Sequence, residues 1–539
     1  MTERTVVTRA VVIGLDGAAW HLIDDLISNG VMPRLGEIKS AGASGVLTST
    51  VPTYTPPAWT SAVTAVNPGR HGVYGFVAGH AQDERQELMH AGRVRSATLW
   101  EMANAQGLTA GIFHLPLTYP ARDLDGWMVS GMMTPGYGEK PPQGFTAPND
   151  LEAAINSWAP GYAIDVSANW ETDWRDAALC DRITGALEQR VTVLRNLLES
   201  RPVDIAFSVL ESPDRMQHVY YRYMDPNDEM YYTPAAERLR PSIWRCFAAM
   251  DEIVGILADY ASDDGGVIVC SDHGFTAWEV SVHTNTLLER WGYLRFKPSA
   301  RLMRTGLARS LVPLAKRVLP ARVARQAKSK TFAAIDWSRT KAFASPIPQQ
   351  GIYVNLVGRE RLGIVERDQL GAIKDDLVAR FEDLKGPDGE PATDRVYRSE
   401  DVFSGDALAG APDVLPVLRD HRYELDDEIF HTEVFSDLSH LPRGAHHPDG
   451  IVVVSGADVA PATDLRASVL DVTPTLLHLA GAKVPAGLDG RVIEAAFRPG
   501  ARGVETIDAP DTAARDEESP YSAEEEALIE ESLRGLGYL

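Results

Sequence analysis

The chain has 539 residues, 44% hydrophobic and 24% charged, which is the make-up of a globular protein and excludes a disordered, collagen-like or disulfide-scaffold chain. Its 52 Lys and Arg against 75 Asp and Glu leave a formal charge of -23, a field that repels polyanions, so no nucleic acid polymer is expected as a partner. Any anionic substrate has to meet locally placed positive charge. Three widely spaced cysteines, Cys180, Cys246 and Cys270, suit neither a disulfide framework nor a thiolate zinc site. The first residues lack the basic and apolar regions of a signal peptide, and no apolar run approaches the ~18 residues of a membrane span, so the expected location is cytoplasmic, with no transmembrane segment.

In chain order, residues 9–16 form a β-branched apolar run ending in Asp16-Gly17, which reads as a buried parallel strand delivering Asp16 into a loop, with a helix through Trp20 and Leu26 behind it. Residues 52–72 hold Thr55-Pro-Pro, a rigid turn ahead of a helical pattern starting near Trp59. That puts Thr55 near a helix N-terminus, where backbone N–H groups favour an anion. Helical patterns follow at 98–106 and 187–198. Strand-like runs at 204–210 and 265–271 lead into Asp214 and His218 and into the pair Asp272-His273, and His446 precedes a further run from Ile451. This alternation predicts an α/β fold with a mostly parallel central sheet and helices on both faces, whose strand ends converge on one crevice.

Residues from about 280 to 440 break the rhythm and read as an inserted cap, so the expected organisation is a catalytic domain over 8–500 containing that insertion. Within the cap, residues 299–334 carry nine Lys or Arg and no acidic residue. Such a run ordinarily forms a solvated helix face; the functional alternative is a rim for phosphorylated or lipid-surface anions, giving peripheral membrane contact. Residues 501–539 read as an acidic linker and a terminal helix, opened by the capping box Ser522–Glu525 and lined along one side by Leu528, Ser532, Leu533 and Leu536.

Asp16, Asp214, His218, Asp272, His273 and His446 offer carboxylates and imidazoles without thiolates, a donor set suited to zinc or manganese and large enough for two ions. Each alone reads as a turn, cap or core residue; their common placement near the ends of predicted parallel strands is what groups them. A threonine hydroxyl such as that of Thr55 is a poor nucleophile until a metal stabilises its alkoxide.

These pieces, with Tyr119-Pro, residues 129–135, 335–342 and 351–359, and Asp471-Val-Thr-Pro-Thr-Leu-Leu, resemble the alkaline phosphatase superfamily, specifically its type I phosphodiesterase and nucleotide pyrophosphatase branch. The resemblance implies an alkaline-phosphatase-like fold and two divalent ions, zinc or manganese. It implies one ion on Asp16, Asp272, His273 and the Thr55 hydroxyl, and the other on Asp214, His218 and His446. It further implies that Thr55 is the catalytic nucleophile, attacking phosphorus to give a phospho-threonine that water then cleaves. His71 is read as shaping a helix end and His447 as lying outside the ligand set.

Two departures from the family pattern stand out. Phe76 replaces the asparagine that contacts a phosphoryl oxygen in the nucleotide pyrophosphatases, and Thr64-Ala65 replaces Thr-Gly, a change expected to alter helix packing only. With no Lys or Arg in the motifs beside Thr55, and with Tyr54, Trp59 and Phe76 as aromatic neighbours, the expected substrate is a small phosphate diester, with Trp59 and Phe76 as candidate substrate-binding residues. Alternatives are a phosphomonoesterase or phosphomutase of the same superfamily, and a non-catalytic member that binds an anion or a partner. The formylglycine pattern of sulfatases and the serine motif of cofactor-independent phosphoglycerate mutases are both missing.

Overall fold

The computed structural model describes residues 9–538 except 79–81, 83–86, 137–142, 263, 304–333, 346–350, 428–430, 511–514 and 516. The chain divides into two compact units, Met1–Gly75 with Leu88–Ala277 and Pro442–Leu539, and Phe76–Glu87 with Trp278–Leu441.

The first unit is built on a nine-stranded sheet. Its strands are β1 (Ala10–Leu15), β2 (Ala43–Thr48), β3 (Ala110–Phe113), β4 (Gly126–Val129), β5 (Thr146–Ala147), β6 (Ile205–Leu210), β7 (Gly266–Cys270), β8 (Asp449–Gly456) and β9 (Ala462–Ser468), in the order β9-β2-β8-β7-β1-β6-β3-β4-β5. The centre is parallel: β1 pairs with β6 and β7, and β3 with β6 and β4. β8 runs antiparallel to both its neighbours, and β5 to β4. β1, β6 and β7 are buried along their whole length, which is why they read as unbroken apolar runs rather than alternating ones. This is the α/β fold with a mostly parallel central sheet that the sequence predicts.

The helices that matter to the site are α1 (Thr55–Thr64), α2 (Ala178–Ser200), α3 (Ser212–Met224), α4 (Pro234–Tyr260) and α5 (Ala523–Gly535). α1 begins at Thr55, four residues before the Trp59 start that the sequence suggested. The first turn tolerates Pro56 and Pro57 because those positions need no N–H. The same prolines revise the anion-site expectation: they remove two donors, and the Ala58 N–H is engaged by the Tyr54 carbonyl. At the other end, Ala65 sits at φ 54°, the left-handed C-cap conformation that glycine adopts freely. The Thr-Ala departure is therefore a backbone matter, costing about 1–2 kcal/mol, and not simply one of packing.

His71 closes the short helix Pro68–His71 and is fully buried. Its Nδ1 accepts the Val73 N–H at 3.1 Å, so Nε2 carries the proton toward Ser61 Oγ at 2.9 Å. Burial lowers its pKa from 6.5 to about 3. Between those values the unfolded chain binds a proton that the folded one refuses, so stability is complete above about pH 6.5 and falls with acidification, by about 1.4 kcal/mol per pH unit for this one group. Urea midpoints measured across that range should fall less steeply for His71→Gln than for the wild type.

The second unit holds an antiparallel four-stranded sheet of Ala342–Ala344, Ile352–Val354, Val414–Leu418 and Thr393–Arg398, with helix Arg367–Glu382 contributing Leu377 and Phe381 to its core. It draws in 76–87, which carries no sequence signal of belonging there: Gln82 bonds Asn355 Oδ1 and the Leu362 N–H, both at 2.6 Å. Of the basic segment 299–334, residues 304–333 lie outside the described residues. No helix among the described residues is long and apolar enough to cross a membrane.

In the tail, Ser522 and Glu525 cap α5 reciprocally. Its buried stripe is Ile529, Ser532, Leu533 and Leu536, whereas Leu528 is exposed.

Candidate active site

Asp16, Asp214, His218, Asp272 and His273 reach the site from segments that follow sheet strands, and His446 from the strand that precedes β8. Asp16 follows β1, and Gly17, at φ +70°, turns the chain there; a Cβ on Gly17 would meet the Phe275 ring at 2.6 Å. β6 leads into α3, whose first turn carries Asp214 and whose next turn carries His218, four residues on and so on the same face. Asp272 and His273 follow β7. His446 lies in the strand Gly444–His447, which pairs antiparallel with Gly274–Ala277 and sets His446 opposite Phe275. His447 points to the other side of that strand and takes the Asp449 N–H.

These residues form two buried clusters, Asp16/Asp272/His273 and Asp214/His218/His446, each with its donor atoms within 4.8 Å of one another. The stacked His273 and His446 rings, 3.8 Å apart, join them. Thr55 Oγ1 lies 3.3 Å from His273 Nε2 and is buried. The structure thus gathers all seven predicted ligands in one place.

The hydrogen bonds show what the clusters are built to hold. Trp59 Nε1 donates to Asp16 Oδ2 at 2.9 Å, Gly17 N donates to Asp272 Oδ1 at 3.1 Å, and Arg215 and Tyr538 each donate to Asp214 Oδ2 at 2.8 Å. In every case the second oxygen, Asp16 Oδ1, Asp272 Oδ2 or Asp214 Oδ1, is buried and has no hydrogen-bond partner. On the imidazoles, Nδ1 of His273 lies 3.1 Å from the Gly274 carbonyl and Nδ1 of His446 lies 3.0 Å from that of Thr53. Placing the ring protons there leaves both Nε2 lone pairs facing the bare oxygens. Asp214 Oδ1 sits 3.2 and 3.3 Å from His218 Nε2 and His446 Nε2, and Asp272 Oδ2 sits 3.3 Å from His273 Nε2.

Three bare buried carboxylate oxygens facing neutral imidazole nitrogens make a costly arrangement unless cations fill it. Burial and the neighbouring Asp272 and Asp214 push Asp16 well above the usual carboxylate range, and burial with Asp214 pushes Asp272 up to about 8. Burial holds His218 and His273 below the ordinary histidine range. The residues fit two divalent ions.

A third His/Asp cluster lies in the second unit and differs in this respect. His283 is buried; its Nδ1 meets Asp426 Oδ2 at 2.9 Å, its Nε2 meets Ser436 Oγ at 2.8 Å, and its ring stacks on His431. Both ring nitrogens already have partners, so the cluster ties strands together without requiring an ion.

Trp59, a candidate substrate contact from the sequence, is buried, and its indole N–H donates to Asp16. Phe76 is buried and belongs to the second compact unit. The sequence reading had no signal for the roles of Gly17, Arg190 and Glu211, which only the folded contacts reveal. Arg215 is buried between Asp214 and Asp165. Arg190, fully buried on α2, forms a two-pronged ion pair with Glu211 at the head of α3 and donates to the Ile164 carbonyl at 2.8 Å. Arg190→Ala should destabilise the fold by about 3–5 kcal/mol, because it leaves Glu211 buried and unpaired; a urea melt reads this directly.

The sequence model of the type I phosphodiesterase/nucleotide pyrophosphatase family matches residues 10–441. The chain belongs to this family. Among solved structures, phosphonoacetate hydrolase from Sinorhizobium meliloti 1021, in complex with phosphonoformate, is similar at 16% identity and TM-score 0.51, covering 88% of this chain and 95% of that one. Murine ectonucleotide pyrophosphatase/phosphodiesterase 5 is similar at 13% identity and TM-score 0.46, covering 88% and 95%. Comparison with curated proteins gives no match. The likeness to phosphonoacetate hydrolase is one of fold. Membership of the phosphodiesterase family makes this chain one of a group of phosphoester hydrolases, and the paired clusters lie where the central strands of that fold end.

Proposed function

We propose that the protein is a two-metal phosphodiesterase that hydrolyses small phosphate diesters through a phospho-threonine at Thr55, with zinc or manganese as the ions. The observation that carries this is the set of three buried, unpartnered aspartate oxygens facing imidazole nitrogens, with the Thr55 hydroxyl 3.3 Å from one of those nitrogens. Asp16, Asp272, His273 and Thr55 would hold one ion, and Asp214, His218 and His446 the other. Bound there, divalent ions supply Lewis acidity, which makes the Thr55 oxygen nucleophilic and offsets charge on the phosphoryl oxygens.

The chain's own groups do the rest. The first turn of α1, stiffened by Pro56 and Pro57, fixes the Thr55 oxygen for in-line attack, in which the Thr55 Oγ1–P bond forms and the ester P–O bond breaks. Trp59, Gly17 and Arg215 each hold one oxygen of an aspartate so that the other faces inward.

The diester preference rests on Arg215. A monoester dianion calls for a cation at its extra oxygen, and Arg215, the cation adjacent in sequence to a ligand, is engaged by Asp214 and Asp165. The test compares bis-p-nitrophenyl phosphate with p-nitrophenyl phosphate on zinc- and manganese-loaded protein. Faster turnover of the diester is expected. Preference for the monoester would make the protein a phosphatase or phosphomutase, and silence on both with metals bound would favour a binding role.

A further inference from the structure

Tyr538 stands outside every motif read from the sequence, yet it enters the site. α5 ends in a reciprocal pair of bonds, Gly537 N to Arg534 O at 3.1 Å and Tyr538 N to Leu533 O at 2.9 Å, with Gly537 at φ +86°. This is the Schellman arrangement, in which a left-handed glycine folds the next residue back over the helix end. The Trp170 N–H, bonded to the Gly535 carbonyl at 3.0 Å, holds the turn in place, and Tyr521, before the helix, donates its hydroxyl to the Met133 carbonyl at 2.9 Å.

Folded back in this way, the Tyr538 hydroxyl lies 2.8 Å from Asp214 Oδ2, 3.0 Å from His218 Nε2 and 3.5 Å from His446 Nε2. The two Nε2 atoms are 3.0 Å apart and stand 3.2 and 3.3 Å from Asp214 Oδ1, the bare oxygen of that carboxylate. Four donors around a tetrahedral ion with bonds of about 2.0–2.1 Å stand about 3.3 Å apart. The five spacings among the Tyr538 hydroxyl, the two Nε2 atoms and Asp214 Oδ1, between 3.0 and 3.5 Å, are of that size, and the hydroxyl meets the same carboxylate through its other oxygen, Oδ2.

We propose that the Tyr538 hydroxyl is the fourth ligand of the ion held by Asp214, His218 and His446, and that the tail thereby closes the position a phosphoryl oxygen must take. The inference rests on the two-metal reading above. A zinc site with four protein ligands is closed, whereas catalysis needs an open position, so a phosphoryl oxygen gains access by displacing the tyrosine. The tail is then a gate opened by the anion itself.

Calorimetric zinc titration and visible spectroscopy of the copper(II)-loaded full chain test this, using wild type, Tyr538→Phe and Gly537→Ala. The last variant keeps the phenol but strains its turn and brings a Cβ within 3.2 Å of Trp170 Nε1. Expected are two bound zinc ions in the wild type, one of them bound about 10–100-fold more weakly in both variants. A tyrosine-to-copper charge-transfer band should appear in the wild type, be absent in Tyr538→Phe, and bleach when inorganic phosphate is added. Two zinc ions with identical isotherms in wild type and Tyr538→Phe, or no band with two copper ions bound, would overturn the ligand assignment. A band that survives saturating phosphate would overturn the gate. A wild type that binds no metal would instead defeat the two-metal reading on which the inference stands.

Discussion

Thr55→Val should lower kcat on a diester substrate by at least about 10³-fold while leaving fold and metal content intact. Valine matches threonine in shape, and the Thr55 side chain sits in a buried first turn set by Pro56 and Pro57, so only the oxygen is lost. A residue that merely shaped the turn would tolerate the change within a few fold. Thr55 is also a donor to the Asp16/Asp272/His273 ion in this account, so the zinc titration of the variant accompanies the rate measurement. Two ions still bound, with turnover gone, assigns the effect to the nucleophile; wild-type turnover removes Thr55 from the mechanism.

Metal removal gives the second large effect. Chelation should abolish activity and lower Tm, because it leaves Asp16 Oδ1, Asp214 Oδ1 and Asp272 Oδ2 buried without a hydrogen-bond partner. Restoring zinc to about 100 times its dissociation constant should stabilise the fold by about 2.7 kcal/mol per independent site. Asp272→Asn separates the contributions. It removes one ligand and a carboxyl that burial holds protonated up to about pH 8 but that ionises freely in the unfolded chain, so the metal-free protein gains stability at neutral pH while the zinc-dependent rise in Tm shrinks. A Tm indifferent to chelator and zinc would mean that the clusters are satisfied without ions, as the His283 cluster is.

Asp16, Asp272 and His273 were legible as candidate ligands in the sequence because their placement is local: an aspartate or histidine just past a buried β-branched run sits at a strand end whatever the rest of the chain does, whereas His446 precedes its run. β8 shows the limit of that reading. Its run of valines announces burial, but nothing in it distinguishes a parallel strand from the antiparallel one observed between β2 and β7. The supporting contacts were not legible for a related reason. Trp59 looks like any core aromatic until its indole N–H is seen on Asp16, 43 residues away, and Arg190 looks like an exposed helix residue until Glu211 is seen opposite. Tyr538 is the extreme case, lying 324 residues from Asp214, with a single glycine aiming it. Phe76 joined the second unit through the 76–87 segment, a long-range partition that no local pattern encodes.

The central claim is that phosphoryl transfer passes through Thr55. Acid-quenching metal-loaded protein during turnover of bis-p-nitrophenyl phosphate, then mapping peptides by mass spectrometry, tests it most directly. A phosphoryl ester is expected on the peptide containing Thr55, absent in Thr55→Val. Sustained turnover with no phosphorylated peptide, or with the label on a different residue, would contradict it.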